Sequence, residues 1–394
     1  MPCQVWCTAW FDKNVVGTAN ALAGGWGNAG GGITYFIMPA VYDSLVHHFG
    51  HSPSRAWRIT FVVPLVCLIV CGLGLLFLCE DSPVGKWDDR HAAVQHNLES
   101  HGLSGTDAIV TITGGVADRR PSAAPSATSD EEKANTKSPE KTEITSDARS
   151  TSSVSDGNIH GFAHEIDLSR TEAIETAQGE TVVKPTFREA AAVCFSIHGA
   201  FFVATYAASF GGELAINSVL GAYYLKNFKY LGQTKASNYA AIFGFLNFVT
   251  RPLGGVVGDL LYNGFGRSVW LKKVWIHVCG FLTGALLIVI GLLDPHHLPT
   301  MIGLVSLMSV FHEAGNGANF ALVPHVYPHS NGVLSGLTGA GGNLGGVVFA
   351  IIFRFMGDGT NYAKAFWVIG IMHIALNLAV VWVPPIPKGQ IGGR

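Results

Sequence analysis

An arginine stands in the middle of a long apolar run. Arg251 lies within Ala241-Ile-Phe-Gly-Phe-Leu-Asn-Phe-Val-Thr-Arg-Pro-Leu-Gly-Gly-Val-Val-Gly-Asp259. A charge at the centre of a membrane helix costs at least about 2.5–3.5 kcal/mol to insert, so it is kept for a partner or a task. A guanidinium is a planar fork that matches a planar oxyanion, which the point charge of a lysine does not. Contact with an anionic substrate is one reading of Arg251. A structural salt bridge, or snorkelling to the interface, is the other. Asp259 sits nearer the helix end and is expected to pair with the loop that follows.

Tyr206, Phe210, Glu213 and Asn217 recur at i, i+4, i+7 and i+11, so they share one helix face. The two aromatics and the amide suit the wall of a cavity, and Glu213 suits pairing with a cation or carrying a proton. Plain packing explains Tyr206 and Phe210 equally well. A further segment, Phe311 to Phe320, carries His312, Glu313, Asn316 and Asn319. So many polar groups in one apolar stretch imply a wet interior without assigning each a role.

Enzyme chemistry has no foothold. There is no P-loop, no HExxH, no GxSxG and no carboxylate pair placed for acid–base work. The 16 histidines are dispersed, and His47, His48 and His51 have no cysteine or carboxylate company. No metal site and no cofactor are expected. The seven cysteines (Cys3, Cys7, Cys67, Cys71, Cys79, Cys194 and Cys279) form no disulfide framework and read as small buried side chains.

Glycine is concentrated in two places that align. Gly17, Gly24, Gly27, Asn28, Gly30 and Gly31 match Gly332, Gly339, Gly342, Asn343, Gly345 and Gly346 at a constant offset of 315. On a helix, positions 17, 21, 24, 28 and 31 form one stripe of small residues with one asparagine, as do 332, 336, 339, 343 and 346. Small residues let a neighbouring backbone come close. Close packing alone requires no matched asparagine, and an amide at membrane depth must bond another helix or face a polar cavity. Parallel repeats of this kind characterise one class of transporter.

The elements that must hold these residues are membrane helices. Of 394 residues, 48% are hydrophobic and 13% charged, about half the charge a soluble domain carries. Eight segments reach bilayer length: Val15–Leu45, Trp57–Leu78, Ala190–Leu225, Asn238–Leu261, Val274–Leu293, Met301–Val326, Gly332–Phe355 and Ala363–Val383. Lipid offers the backbone no hydrogen bonds, so these runs are helices. They divide the chain into a two-helix unit (1–79), a polar tract (80–189) and a six-helix unit (190–394). The tract is rich in Ser, Thr, Glu and Asp and is expected to be mostly disordered. Lys and Arg near the helix ends favour a cytosolic loop and C-terminus, with the lipid bilayer as surroundings. The net charge of −2 gives no reason to expect nucleic acid as a partner. Met1 runs directly into the first apolar segment, so no cleavable signal peptide is expected.

The Gly24-Gly-Trp-Gly-Asn28-Ala-Gly-Gly-Gly32 block and its echo at Gly341-Gly-Asn343-Leu-Gly-Gly346 resemble the paired motifs of the nitrate/nitrite porters of the major facilitator superfamily. The stretch from Asp259 to Arg267 is similar to a loop motif general to that superfamily. The resemblance implies an all-α, twelve-helix fold of which these eight helices are the fifth to the twelfth. The first four, with their own arginine, are expected to be missing and the chain inactive alone. It implies a site in which Arg251 holds nitrate, Tyr206 and Phe210 surround it, and Asn28 and Asn343 supply the motif amides. The implied function is proton-coupled uptake of nitrate and nitrite across the plasma membrane. A transporter of another small anion, or a non-transporting membrane sensor working through its long loop, are the alternatives.

Overall fold

Twelve α-helices account for nearly all the regular structure in the computed structural model, which describes residues 2–11, 14–80, 108–110, 116–118, 186–356 and 361–388. They are α1 (Pro2–Trp10), α2 (Val16–Asn28), α3 (Gly30–His47), α4 (Pro53–Thr60), α5 (Val62–Leu78) and α6 (Phe187–Cys194). Then follow α7 (Ile197–Asn227), α8 (Gly232–Gly264), α9 (Val269–Leu293), α10 (Leu298–Leu322), α11 (Asn331–Phe355) and α12 (Tyr362–Val380).

Local chemistry sets several of the boundaries. Thr186 and Glu189 close a capping box at the start of α6. Ser196 accepts from the Gly199 amide at 2.9 Å and starts α7, so the segment expected from Ala190 onward is two helices with a break at Phe195. Asn361 accepts from the Lys364 amide and starts α12. Helices α2 and α3 form one interrupted segment, for the Ala29 and Ile33 amides carry the backbone bonding through the junction.

Among the described residues six stretches are long and apolar enough to cross a membrane: Pro53–Leu78, Ile197–Asn227, Lys229–Gly264, Val269–Leu293, Asn331–Phe355 and Tyr362–Val380. The first and sixth expected spans do not reach that hydropathy. One is diluted by glycine, and the other carries His312, Glu313, Asn316 and Asn319. The second is nonetheless enclosed: whereas α3 buries only Gly32, α10 is buried continuously from His312 to Leu322. It runs among α2, α8 and α9, while α11 lies along α7 and α12 along α9.

Two departures from the sequence reading concern exposure and strands. Only Cys279 is buried among the cysteines; Cys67, Cys71 and Cys79 follow α5 and its end, where no residue of the helix is buried. A helix apolar on all sides has no inward face to hide a thiol, and its surface belongs to lipid. Within 80–189, most of which lies outside the described residues, Ala108–Val110 and Val116–Asp118 pair as two antiparallel strands, Ile109 opposite Ala117. Their Val and Ile suit a strand.

Glycine does what the stripes suggest where backbones meet. A Cβ on Gly211 would lie 2.7 Å from the Gly345 carbonyl carbon, and one on Gly32 would lie 2.6 Å from the Phe245 amide. A Cβ on Gly345 would collide with the Ala207 carbonyl oxygen, whereas one on Gly336 meets nothing within 4 Å. Gly345→Ala is therefore expected to cost about 1–3 kcal/mol by overpacking. Gly336→Ala should be neutral or gain up to about 1 kcal/mol from helix propensity. Thermal unfolding of both variants in the same detergent separates the two.

Candidate functional site

Helix α8 carries Arg251 to a depth where 2% of it remains exposed. Pro252 follows it, removing one backbone amide from the helix bonding; its ring lies where a Cβ on Gly25 would be 2.7 Å away. Gly24 of α2 faces the guanidinium itself: a Cβ there would stand 2.9 Å from Nε. The glycine motif thus leaves room for an arginine rather than only for another backbone.

The guanidinium is bound on one side. Nη2 donates to the Tyr206 hydroxyl at 2.9 Å, and Nη1 lies 3.6 Å from Glu213 Oε2. Its charge also stands 5.8 Å from the Phe210 ring centre, within reach of a cation–π attraction. Tyr206 and Phe210 stack at 5.0 Å with their planes 10° apart, and Phe320 meets Tyr206 edge-on. Gly342 of α11 admits this pair, since a Cβ there would lie 2.6 Å from the Tyr206 ring. Nε and Nη1 are buried with no hydrogen-bond acceptor. Two donors of a buried cation are therefore open to an acceptor from outside the protein, an arrangement that is costly unless filled.

Glu213 is held more completely. Oε1 accepts from Asn247 Nδ2 at 2.9 Å and Oε2 from Asn316 Nδ2 at 2.6 Å. Asn28 Nδ2 reaches both oxygens at 3.3 and 3.4 Å. Amides from α2, α8 and α10 converge on one carboxylate of α7. Glu313 lies alongside, accepting from Ser309 and Thr250, each at 2.9 Å.

The two repeated motifs do not behave alike. Asn28 enters this cluster, whereas Asn343 is exposed and donates to the Gly339 carbonyl of its own helix at 2.8 Å. Gly31 meets Asn217 and Gly346 meets Leu214, both on α7; Gly339 is buried, but Gly27 and Gly30 face open space. The structure brings Arg251, Tyr206, Phe210 and Asn28 together and leaves Asn343 apart.

Asp259 is not paired with its loop. Its carboxylate bonds Lys272 Nζ of α9 at 2.9 Å, and the amide and hydroxyl of Thr18 at 2.6 and 2.8 Å. Lys272 also donates to the Ala321 carbonyl and lies 2.8 Å from His325 Nε2. A second polar centre is a small cavity where His312 and Asn319, already read as polar at membrane depth, meet Thr205, Ser209, Thr283, His373 and Asn377, which were not. The His312 and His373 rings cross edge-on at 5.4 Å. The available signal was His373 and Asn377 at i and i+4 on α12, with His312 and Asn319 at i and i+7 on α10. Among the described residues no group of three His, Cys, Asp or Glu could hold a metal ion.

The chain is similar to transporters along almost its whole length. A relative named elsinochrome transporter 1, from Elsinoe fawcettii, is 37% identical over 385 residues, covering 98% of this chain and 71% of its own. High-affinity nitrate transporter 2.3 of Oryza sativa is 28% identical over 383 residues, 96% of this chain and 56% of its own. A nitrate/nitrite transporter of Nostoc punctiforme is 31% identical over 186 residues, 47% of this chain and 35% of its own. The chain belongs to the same transporter family as that elsinochrome transporter, and its homologues include nitrate/nitrite porters of the major facilitator superfamily. Its membrane-spanning helices and transporter relatives make it a multi-pass membrane protein. It spans 56% and 58% of the rice and a Chlamydomonas reinhardtii nitrate transporter. No family model and no solved structure matches it.

Proposed function

We propose that this porter moves nitrate, and nitrite, across the plasma membrane by alternating access, in symport with protons. The observation that carries the reading is the buried Arg251 guanidinium, bonded to the Tyr206 hydroxyl beside the Phe210 ring, with two donors unfilled. A small planar oxyanion is the ligand such a fork suits best. Asn28 belongs to the same site through Glu213. The names of the nitrate-transporting relatives agree with this chemistry. In the proposed arrangement residues 1–79 and 190–394 belong to the two halves that rock about the anion. The segment 80–189 and the C-terminus lie in the cytosol.

A second reading is transport of an elsinochrome, favoured by the 37% identity to the protein of that name. The two are separated by one experiment on the purified full chain in lipid nanodiscs. Labelled nitrate should bind and be displaced by unlabelled nitrate and nitrite, but not by an elsinochrome. Arg251→Ala should weaken binding on the order of 100-fold, the loss of a buried charge-assisted contact. Binding that is indifferent to Arg251, or displaced by an elsinochrome and not by nitrite, overturns the nitrate reading.

A further inference from the structure

The Glu213 carboxylate is itself a small planar oxyanion, and it occupies the place beside Arg251. Its two oxygens take four amide contacts from Asn28, Asn247 and Asn316, and the nearer guanidinium nitrogen is 3.6 Å away. Only 3% of Glu213 and 2% of Arg251 is exposed. We infer that Glu213 is the resident counter-anion of the Arg251 site, which the transported oxyanion replaces as Glu213 takes a proton from water. This rests on the nitrate reading given above.

The argument is one of charge. With Glu213 ionised, the arginine is neutralised from within the protein. Adding nitrate to that pair would bury a second negative charge, and an uncompensated buried charge costs several kcal/mol. If one proton joins Glu213 as nitrate arrives, the positive charge of Arg251 is matched by nitrate alone and the sum is unchanged. The step breaks no bond of the substrate: water supplies a proton, a carboxylate becomes a carboxylic acid, and the anion moves to the guanidinium.

The shell around Glu213 has room for that proton. Asn247 Oδ1 and Asn316 Oδ1 are buried without any donor, although the amide nitrogens of the same side chains hold the carboxylate. A carboxylic acid brings one donor, and either oxygen accepts it after a local turn of the amide. Asn28, meanwhile, links α2 to the carboxylate, so the change in Glu213 is felt on a helix of the first unit.

The titratable and charged groups facing Glu213 come from several elements. Tyr206 lies on its own helix and Arg251 on α8. Helix α10 presents Glu313, with His312 directed to the Ser209 carbonyl instead. Helix α12 carries His373 beside Gly212, its Nδ1 directed to the Gly280 carbonyl, while His277 of α9 packs on Phe201 and bonds Asn377 instead. Helix α2 brings the Asn28 amide, α11 brings glycines, and α3 brings Tyr35, whose hydroxyl donates to the Asn217 carbonyl one turn along α7. Among the described residues Glu313 is the other carboxylic acid beside Glu213, and it competes for the proton.

The test counts protons on the full chain in nanodiscs. In weak buffer with a pH indicator, nitrate should draw up to one proton per anion bound. Its Kd should then rise by as much as about tenfold per pH unit. Glu213→Gln should bind nitrate no more weakly, with no proton uptake and a flat pH profile. Wild-type binding through Arg251 with no proton taken up overturns the inference and leaves the nitrate reading standing. So does a Glu213→Gln variant that still takes up a proton, or a Glu313→Gln variant that alone abolishes the uptake. Failure of nitrate to bind the wild type overturns both. Should Glu213→Gln not fold, the wild-type proton count decides alone.

Discussion

Arg251→Ala is expected to destabilise the folded chain by about 3–5 kcal/mol, apart from any effect on anion binding. The removed guanidinium is the only opposite charge within 4 Å of Glu213 among the described residues. The carboxylate left behind keeps its amides from Asn28, Asn247 and Asn316, but no amide supplies a unit of positive charge. Tyr206 loses the donor to its hydroxyl, at about 1–3 kcal/mol for an unfilled buried acceptor. Arg251→Lys restores the charge but not the planar fork, so it should recover stability more than nitrate affinity. The pairing is measured by a double-mutant cycle: Arg251→Ala with Glu213→Ala should be more stable than Arg251→Ala alone. Additive losses would show that the two residues do not form a pair.

Lys272→Met is expected to be as damaging, about 3–5 kcal/mol, at a place outside the Arg251 cluster. The ammonium is wholly buried and has a partner for each of its three protons: Asp259, the Ala321 carbonyl and His325. It also lies 4.6 Å from the Tyr262 ring centre. Its loss strands the Asp259 carboxylate with Thr18 alone. Because Thr18 belongs to α2, the effect should reach that helix: amide exchange around Thr18 should rise in Lys272→Met. Lys272→Met with Asp259→Leu should recover most of the loss, since removing both buried charges is often neutral. Urea or thermal unfolding reads the stabilities; equal losses in the single and double variants would refute the ion-pair account.

How far the sequence foresaw this depends on whether a feature is local. The helices were legible because apolar runs of bilayer length admit few other structures, and Arg251 announced itself by its cost. Tyr206, Phe210 and Glu213 shared a face by simple spacing, and the structure puts that face against Arg251. What spacing cannot give is the partner across a long sequence interval. Asp259 finds Lys272 and Thr18, not its adjacent loop, since a buried carboxylate is bound by whichever helix brings a cation and amide donor to the same depth. His312 and His373 meet although 61 positions separate them in the chain. The matched asparagines misled in part: sequence identity of the two motifs suggested equal roles, but Asn28 has a neighbouring helix bearing an acid and Asn343 has only its own backbone.

Helix α5 has a consequence for what fixes a helix in space. None of its residues is buried, and its outward surface includes Leu65, Leu68, Ile69, Leu73, Leu76 and Phe77. Every other long helix has an inside and an outside, so neighbours set its angle of roll about its own axis. Helix α5 has no such reference. Among the described residues its side chains stay outside the packed helices, so the match of its apolar length to the hydrocarbon thickness, and not a side-chain fit, is what they offer to set its depth.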